Sequence, residues 1–92
     1  MAQVRQGVDW VDRAVLVLLA ERFGYMEAAA RIKEERSAVR DEARKAEVLR
    51  NVRQLAAEHG VPAAVVAEVY ERLIEDSIAY ELERFDALRA RG

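Results

Sequence analysis

Arg22 and Lys33 stand eleven residues apart in the stretch ERFGYMEAAARIK, Glu21 to Lys33. On a helix that spacing is almost three full turns, so the two cations share a face to within about 20°. Their Cα atoms lie roughly 16 Å apart along the axis. With both side chains turned inward, the gap between the charged ends is a few Å, room for a small anion. The alternative is that both snorkel to solvent beside the apolar stripe, as long basic side chains on helices do.

Further polar positions extend the pair. Asp41 has the type and setting of a helix N-cap, which puts Arg44 in the following first turn, where a cation opposes the helix dipole. An arginine there either pairs with Asp41 or Glu47 or serves a ligand. Ser77 and Glu81, four apart, share a helical face beside Ile74 and Ile78, though Glu81 also reads as a solvated charge in the Glu-rich stretch YELERFD. Arg5 precedes Arg22 by seventeen residues, about 25 Å along a straight helix and roughly 100° around it. Within one chain these two cannot grip the same small ligand. Arg5 joins such a site from a second subunit, or it is an ordinary exposed arginine.

The elements that must position these residues are helical. Apolar or small side chains recur at Val4, Val8, Val11, Val15, Leu18, Tyr25, Ala29 and Ile32, with Arg22 in the remaining place of the series. One helix from about residue 3 to about residue 35 accounts for them, although Gly7 and Gly24 weaken it by about 1 kcal/mol each relative to Ala. A second helix runs from the Asp41 cap to about His59, with Val48, Leu49, Val52, Leu55 and Ala56 on one face. Gly60 as the residue after the cap and Pro62 at or near the first turn separate it from a third helix, about Pro62 to Leu88. The class is all-α, with residues 1–92 as a single domain. A helix of 33 residues is roughly 50 Å long, while a compact monomer of this size has a radius of gyration of about 12 Å. Either the first helix breaks near Gly24 or a second chain covers its stripe. The stripe keeps its phase across Gly24, which favours the second chain.

The composition narrows the chemistry. The 92 residues include no Cys and one His, which excludes disulfides, thiol catalysis and Cys-ligated metal and disfavours a His-based metal site. A net charge of −2 disfavours bulk attraction to nucleic acid or to an anionic membrane. Thirteen of the fifteen basic residues are Arg, an imbalance that coding bias explains by itself. Asp9 and Asp12 precede the short apolar run AVLVLLA, a pattern unlike a signal peptide and too short to span a bilayer. The expected location is cytoplasmic.

Read in order, VRQGVDWVDRAVLVLLAER, RIK, VRDEAR and YERLIEDSIAYE resemble the all-helical chorismate mutases. The specific part is the ordered set: an N-terminal Arg before VDWVD, the Arg of LLAER, the Lys eleven later, RDEAR, and LIEDSIAYE. The resemblance implies an intertwined homodimer of three-helix chains, with two active sites that each borrow one arginine from the partner. By position, Arg5 from the partner and Arg22 bind the substrate's two carboxylates. Lys33 donates to the ether oxygen and faces a carboxylate, and Arg44 adds positive charge. Asp41 falls where the family holds the ring hydroxyl, Ser77 at the ring carboxylate, and Ile74 and Ile78 form apolar wall.

Two positions depart from the common pattern. Lys45 stands where the best-known members carry Glu, and Glu81 where the second donor to the ether oxygen is commonly Gln. A carboxylate cannot donate a hydrogen bond, so Glu81 fills that role only as the neutral acid. The stretch GYMEAAARIK and the eleven-residue step from Lys33 to Arg44 look more like the isochorismate pyruvate lyases, which share the fold. The resemblance therefore implies a cofactor-free pericyclic reaction, chorismate to prephenate, with isochorismate to salicylate plus pyruvate as the alternative. A non-catalytic regulatory relative and a plain helical dimerisation module stay open beside them.

Overall fold

The computed structural model describes residues 1–90. It contains three helices, α1 (Ala2–Ile32), α2 (Glu42–Glu58) and α3 (Ala63–Arg89), with a single 3-10 turn at Arg36–Ala38 between the first two. No strand occurs among the described residues, so the chain is all-α. α1 runs through Gly24 without a break. It ends at Ile32, about three residues short of the length expected from the sequence. Lys33 turns extended (φ −65°, ψ 134°), and the acidic pair Glu34–Glu35 that follows would sit unfavourably at the negative end of a longer helix.

The other boundaries follow from local chemistry. Asp41 caps α2, its Oδ1 accepting the Arg44 backbone N–H at 3.0 Å. At the far end Gly60 has φ 69°, the left-handed conformation in which a Cβ is strained. The N–H groups of Gly60 and Val61 return to the carbonyls of Ala57 (3.3 Å) and Ala56 (2.9 Å), closing the helix as a Schellman turn. Pro62 is the N-cap of α3 rather than its first helical residue. It lacks an N–H and so leaves none unsatisfied there.

α3 is the central element and packs against both α1 and α2. Ala30 of α1, Val39 of the connection and Phe85 of α3 form a buried cluster, with Ile78, Leu82 and Leu88 packed against it. Phe23 meets Tyr80 edge-on at 5.0 Å between ring centroids, joining α1 to α3 further along. The shape is long and thin, 54 × 27 × 15 Å, with a radius of gyration of 16.1 Å, against the roughly 12 Å of a compact chain of this length. The N-terminal half of α1 is responsible. Val4, Val8, Val11, Val15 and Leu18 are 44–62% exposed, and Val65 and Val69 of α3 are also uncovered.

Candidate active site

Where α1, α2 and α3 converge they border a half-open cavity of about 370 Å³. Arg22 and Lys33 border it from α1, Asp41 and Arg44 from the start of α2, and Ile74, Ser77, Ile78 and Glu81 from α3. Eight of the nine candidate residues are thus brought together. The ninth, Arg5, is exposed in the first turns of α1 and does not reach this cavity within the chain. Its distance from Arg22, about 25 Å along the axis, follows directly from the unbroken helix.

Each cation is held in a definite way. Arg22 Nη1 donates to Ser77 Oγ at 2.7 Å, and its guanidinium lies over the Tyr70 ring, 5.9 Å from the centroid. Ser77 is buried and donates its own O–H to the Leu73 carbonyl at 2.6 Å, which leaves its lone pairs to accept from Arg22. Lys33 Nζ meets Glu81 Oε2 at 2.7 Å. Glu81 is only 4% exposed, a buried carboxylate whose partner comes from a different helix. Arg44 pairs with Glu47 one turn further along α2, which is one of the two pairings its position in the sequence allowed.

Four cations border the cavity, Arg22, Lys33, Arg44 and Lys45, against two carboxylates, Asp41 and Glu81. The excess suits a doubly charged anion. Met26, Ala29, Val39, Val48, Ile74 and Ile78 make the rest of the wall largely apolar. Low polarity around the charges strengthens their pull on a bound anion. A family model for chorismate mutase type II matches residues 4–82. The chain belongs to that family. Comparison with curated proteins finds no match.

Two groups around this chorismate mutase-type site, Met26 and Val39, were not singled out by sequence reasoning. Met26 lies four residues after Arg22, and a face-by-face count along α1 would have found it. Val39 sits in the connection, where no periodicity marks it, yet it is 4% exposed. Lys45, at the cavity wall, is engaged by Glu71 (2.5 Å) and Glu75 (2.9 Å) on α3. Glu75 also receives both Nη groups of Arg40, at 2.7 and 3.2 Å. These hydrogen bonds, Arg40's first and Lys45's second, lower the Glu75 carboxyl to about 2. The same contacts raise Lys45 above the ordinary lysine value, through Glu71 first and Glu75 second. Arg36 and Asp86 form a second fork, at 2.9 and 3.2 Å, further along the connection. Both ends of the segment between α1 and α2 are therefore tied to α3. Among the described residues no cluster of His, Cys, Asp or Glu is arranged to hold a metal ion, and no helix is long and apolar enough to cross a membrane.

Proposed function

We propose that residues 1–92 form one domain of a chorismate mutase, rearranging chorismate to prephenate without a cofactor, and that it works as an intertwined homodimer. The observation that carries this reading is the convergence of Arg22, Lys33, Arg44, Ser77 and Glu81 on one apolar-walled cavity. The substrate is a flexible dianion whose enolpyruvyl arm must fold over the ring before the new C–C bond can form. Arg22 and the partner subunit's Arg5 would hold its two carboxylates in that pose, removing conformational freedom before the barrier. Ser77 would share the ring carboxylate, and Ile74 and Ile78 would flank the ring.

As the ether C–O bond stretches, negative charge grows on its oxygen. The Lys33 ammonium would meet it, and Glu81 in its neutral form would supply a second donor. Donors aimed at a developing charge in a water-poor site act without reorganisation at the moment of reaction. Arg44 adds positive potential, and Asp41 takes the ring hydroxyl. The second chain has a physical motive in the uncovered stripe from Val4 to Leu18. An apolar groove of about 470 Å³ between Val15, Leu18, Leu19, Val69 and Leu73 continues that stripe to the edge of Arg22.

Isochorismate pyruvate lyase activity is the second reading, favoured by a cation, Lys45, at a cavity wall where the common mutase pattern has an acid. Supplying chorismate and isochorismate separately tests both. Prephenate from chorismate supports the mutase, and salicylate plus pyruvate from isochorismate supports the lyase. Neither product, with either ligand bound, makes the chain a binding relative and overturns the proposal.

A further inference from the structure

The last turn of α3 reaches back across the molecule to the end of α1. Arg89 donates through Nη1 to the carbonyl of Ala30 at 2.9 Å and through Nη2 to the carbonyl of Lys33 at 2.5 Å. Its guanidinium lies flat enough on Phe85 for a centroid distance of 3.5 Å. Phe85 and Ala30 are themselves buried in the main apolar cluster. Arg89 is therefore braced on the core, and it grips the backbone on both sides of the point where α1 stops. Electrostatics favour that place, because the negative ends of α1 and α3 converge on one cation.

The gripped residue matters. Lys33 is the C-cap of α1, with its N–H still bonded to the Ala29 carbonyl at 2.9 Å. Its carbonyl would otherwise be an orphan of the helix end, free to swing with ψ. With the N–H and the carbonyl both fastened, the backbone of Lys33 is fixed, and so is the direction in which its side chain leaves. That direction delivers Nζ to within 2.7 Å of Glu81 at the cavity. Arg89 lies beyond residues 4–82, the span that the family model matches.

We propose that Arg89 is a positioning residue for Lys33: its fork to the Ala30 and Lys33 carbonyls aims the ammonium at the reacting ether oxygen. The proposal rests on the functional reading above, since it assigns Lys33 that task. A misplacement of about 1 Å in such a donor costs on the order of 10²-fold in rate. Arg89→Met keeps cover over Phe85 and removes both hydrogen bonds. Arg89→Lys keeps the charge but not the fork, and it replaces the Met variant if that one does not fold.

The test is a double-mutant cycle on the dimeric protein. Arg89→Met should lower kcat/KM for the accepted substrate by about tenfold or more in the wild-type background, and by less than about twofold when Lys33 is already Ala. An equal loss in both backgrounds overturns the proposal, because Arg89 then acts on the fold in general. A second readout needs no turnover. The chain has two lysines, Lys33 and Lys45. Selective lysine labelling thus gives two side-chain NMR signals, assigned by Lys33→Ala. In Arg89→Met the Lys33 signal should move toward its random-coil position while Lys45, held by Glu71 and Glu75, stays. An unmoved Lys33 signal overturns the positioning role. Inactivity of the wild-type protein toward both substrates sinks the functional reading instead and leaves the NMR result to decide whether Arg89 holds Lys33.

Discussion

In the proposed dimer, Arg5 and Lys33 reach a given site from different subunits. They are 28 positions apart, in the first turn and at the C-cap of an unbroken α1, about 42 Å along the axis, beyond the reach of any side chain within one subunit. Arg5→Ala and Lys33→Ala homodimers each lack one cation at both sites, and loss of one transition-state donor lowers kcat by about 10²–10³-fold. A heterodimer of the two variants differs. One of its sites takes Lys33 from the Arg5→Ala chain and Arg5 from the Lys33→Ala chain and is complete; its other site lacks both. Each mixed dimer should run at about half the wild-type rate, and random equimolar reassociation should return about one quarter, since half of the dimers are mixed. Against parents at about 1% or less, that recovery is unmistakable. The variants carry different affinity tags, are unfolded together and refolded, and the doubly tagged species is assayed by loss of chorismate absorbance. Purified heterodimers no more active than their parents would refute the shared site, as would a wild-type protein that light scattering finds monomeric.

Val11→Asp places a charge on the α1 stripe and should shift the protein to monomer at micromolar concentration in sedimentation experiments; a dimer as tight as wild type puts the interface elsewhere. Glu75, lowered to about 2 from an ordinary 4.5, contributes stability that is complete above the ordinary value and is lost as pH falls through the lower one. The melting-temperature gap between wild type and Glu75→Gln should therefore close as pH drops across that window, and a gap constant with pH would exclude Glu75 as its source. If Glu81 donates to the ether oxygen, Glu81→Gln should retain turnover while Glu81→Ala lowers kcat by about 10²–10³-fold; equal losses in both variants remove Glu81 from the mechanism as a donor.

The features legible in the sequence were the local ones. The recurrence from Val4 to Ile32 gave an unbroken α1, Asp41 gave the cap of α2, and Gly60 gave the left-handed residue that closes α2, because each depends on neighbours within a turn or two. The face shared by Arg22 and Lys33 is likewise a matter of helical period. Their meeting with Ser77 and Glu81 was not; residues 48 to 55 positions apart were joined only through resemblance to a family. The stop at Ile32 was marked locally by Glu34–Glu35, but the fork of Arg89 to the Ala30 and Lys33 carbonyls, from 59 and 56 positions away, had no signal in the sequence. Val39 is buried in a segment with no period at all, and the orientation of Lys45 depends on two carboxylates 26 and 30 positions away.

The pairings of the cavity cations also rank them for the work of holding a dianion. Among the described residues Arg22 has no carboxylate partner; a neutral hydroxyl and a ring face orient it, leaving its charge uncompensated. Arg44 is paired with Glu47, but both side chains are half or more exposed, and such surface pairs are worth about 0–1 kcal/mol. In the proposed site a bound dianion would draw Arg44 from Glu47 at little cost. Lys45 is the opposite case, mostly covered and held by two carboxylates, so drawing it into the cavity would strand Glu71 and Glu75 together. It serves the seam between α2 and α3 before it serves a ligand. Lys33 stands between these extremes. Its partner Glu81 is buried, and removing the ammonium altogether would leave that group without its hydrogen-bond partner. In the proposed dimer the carboxylates would thus fall to Arg22 and the partner subunit's Arg5, with Arg44 free to add positive potential, and the breaking bond to Lys33, a division that follows which charges the fold has already neutralised.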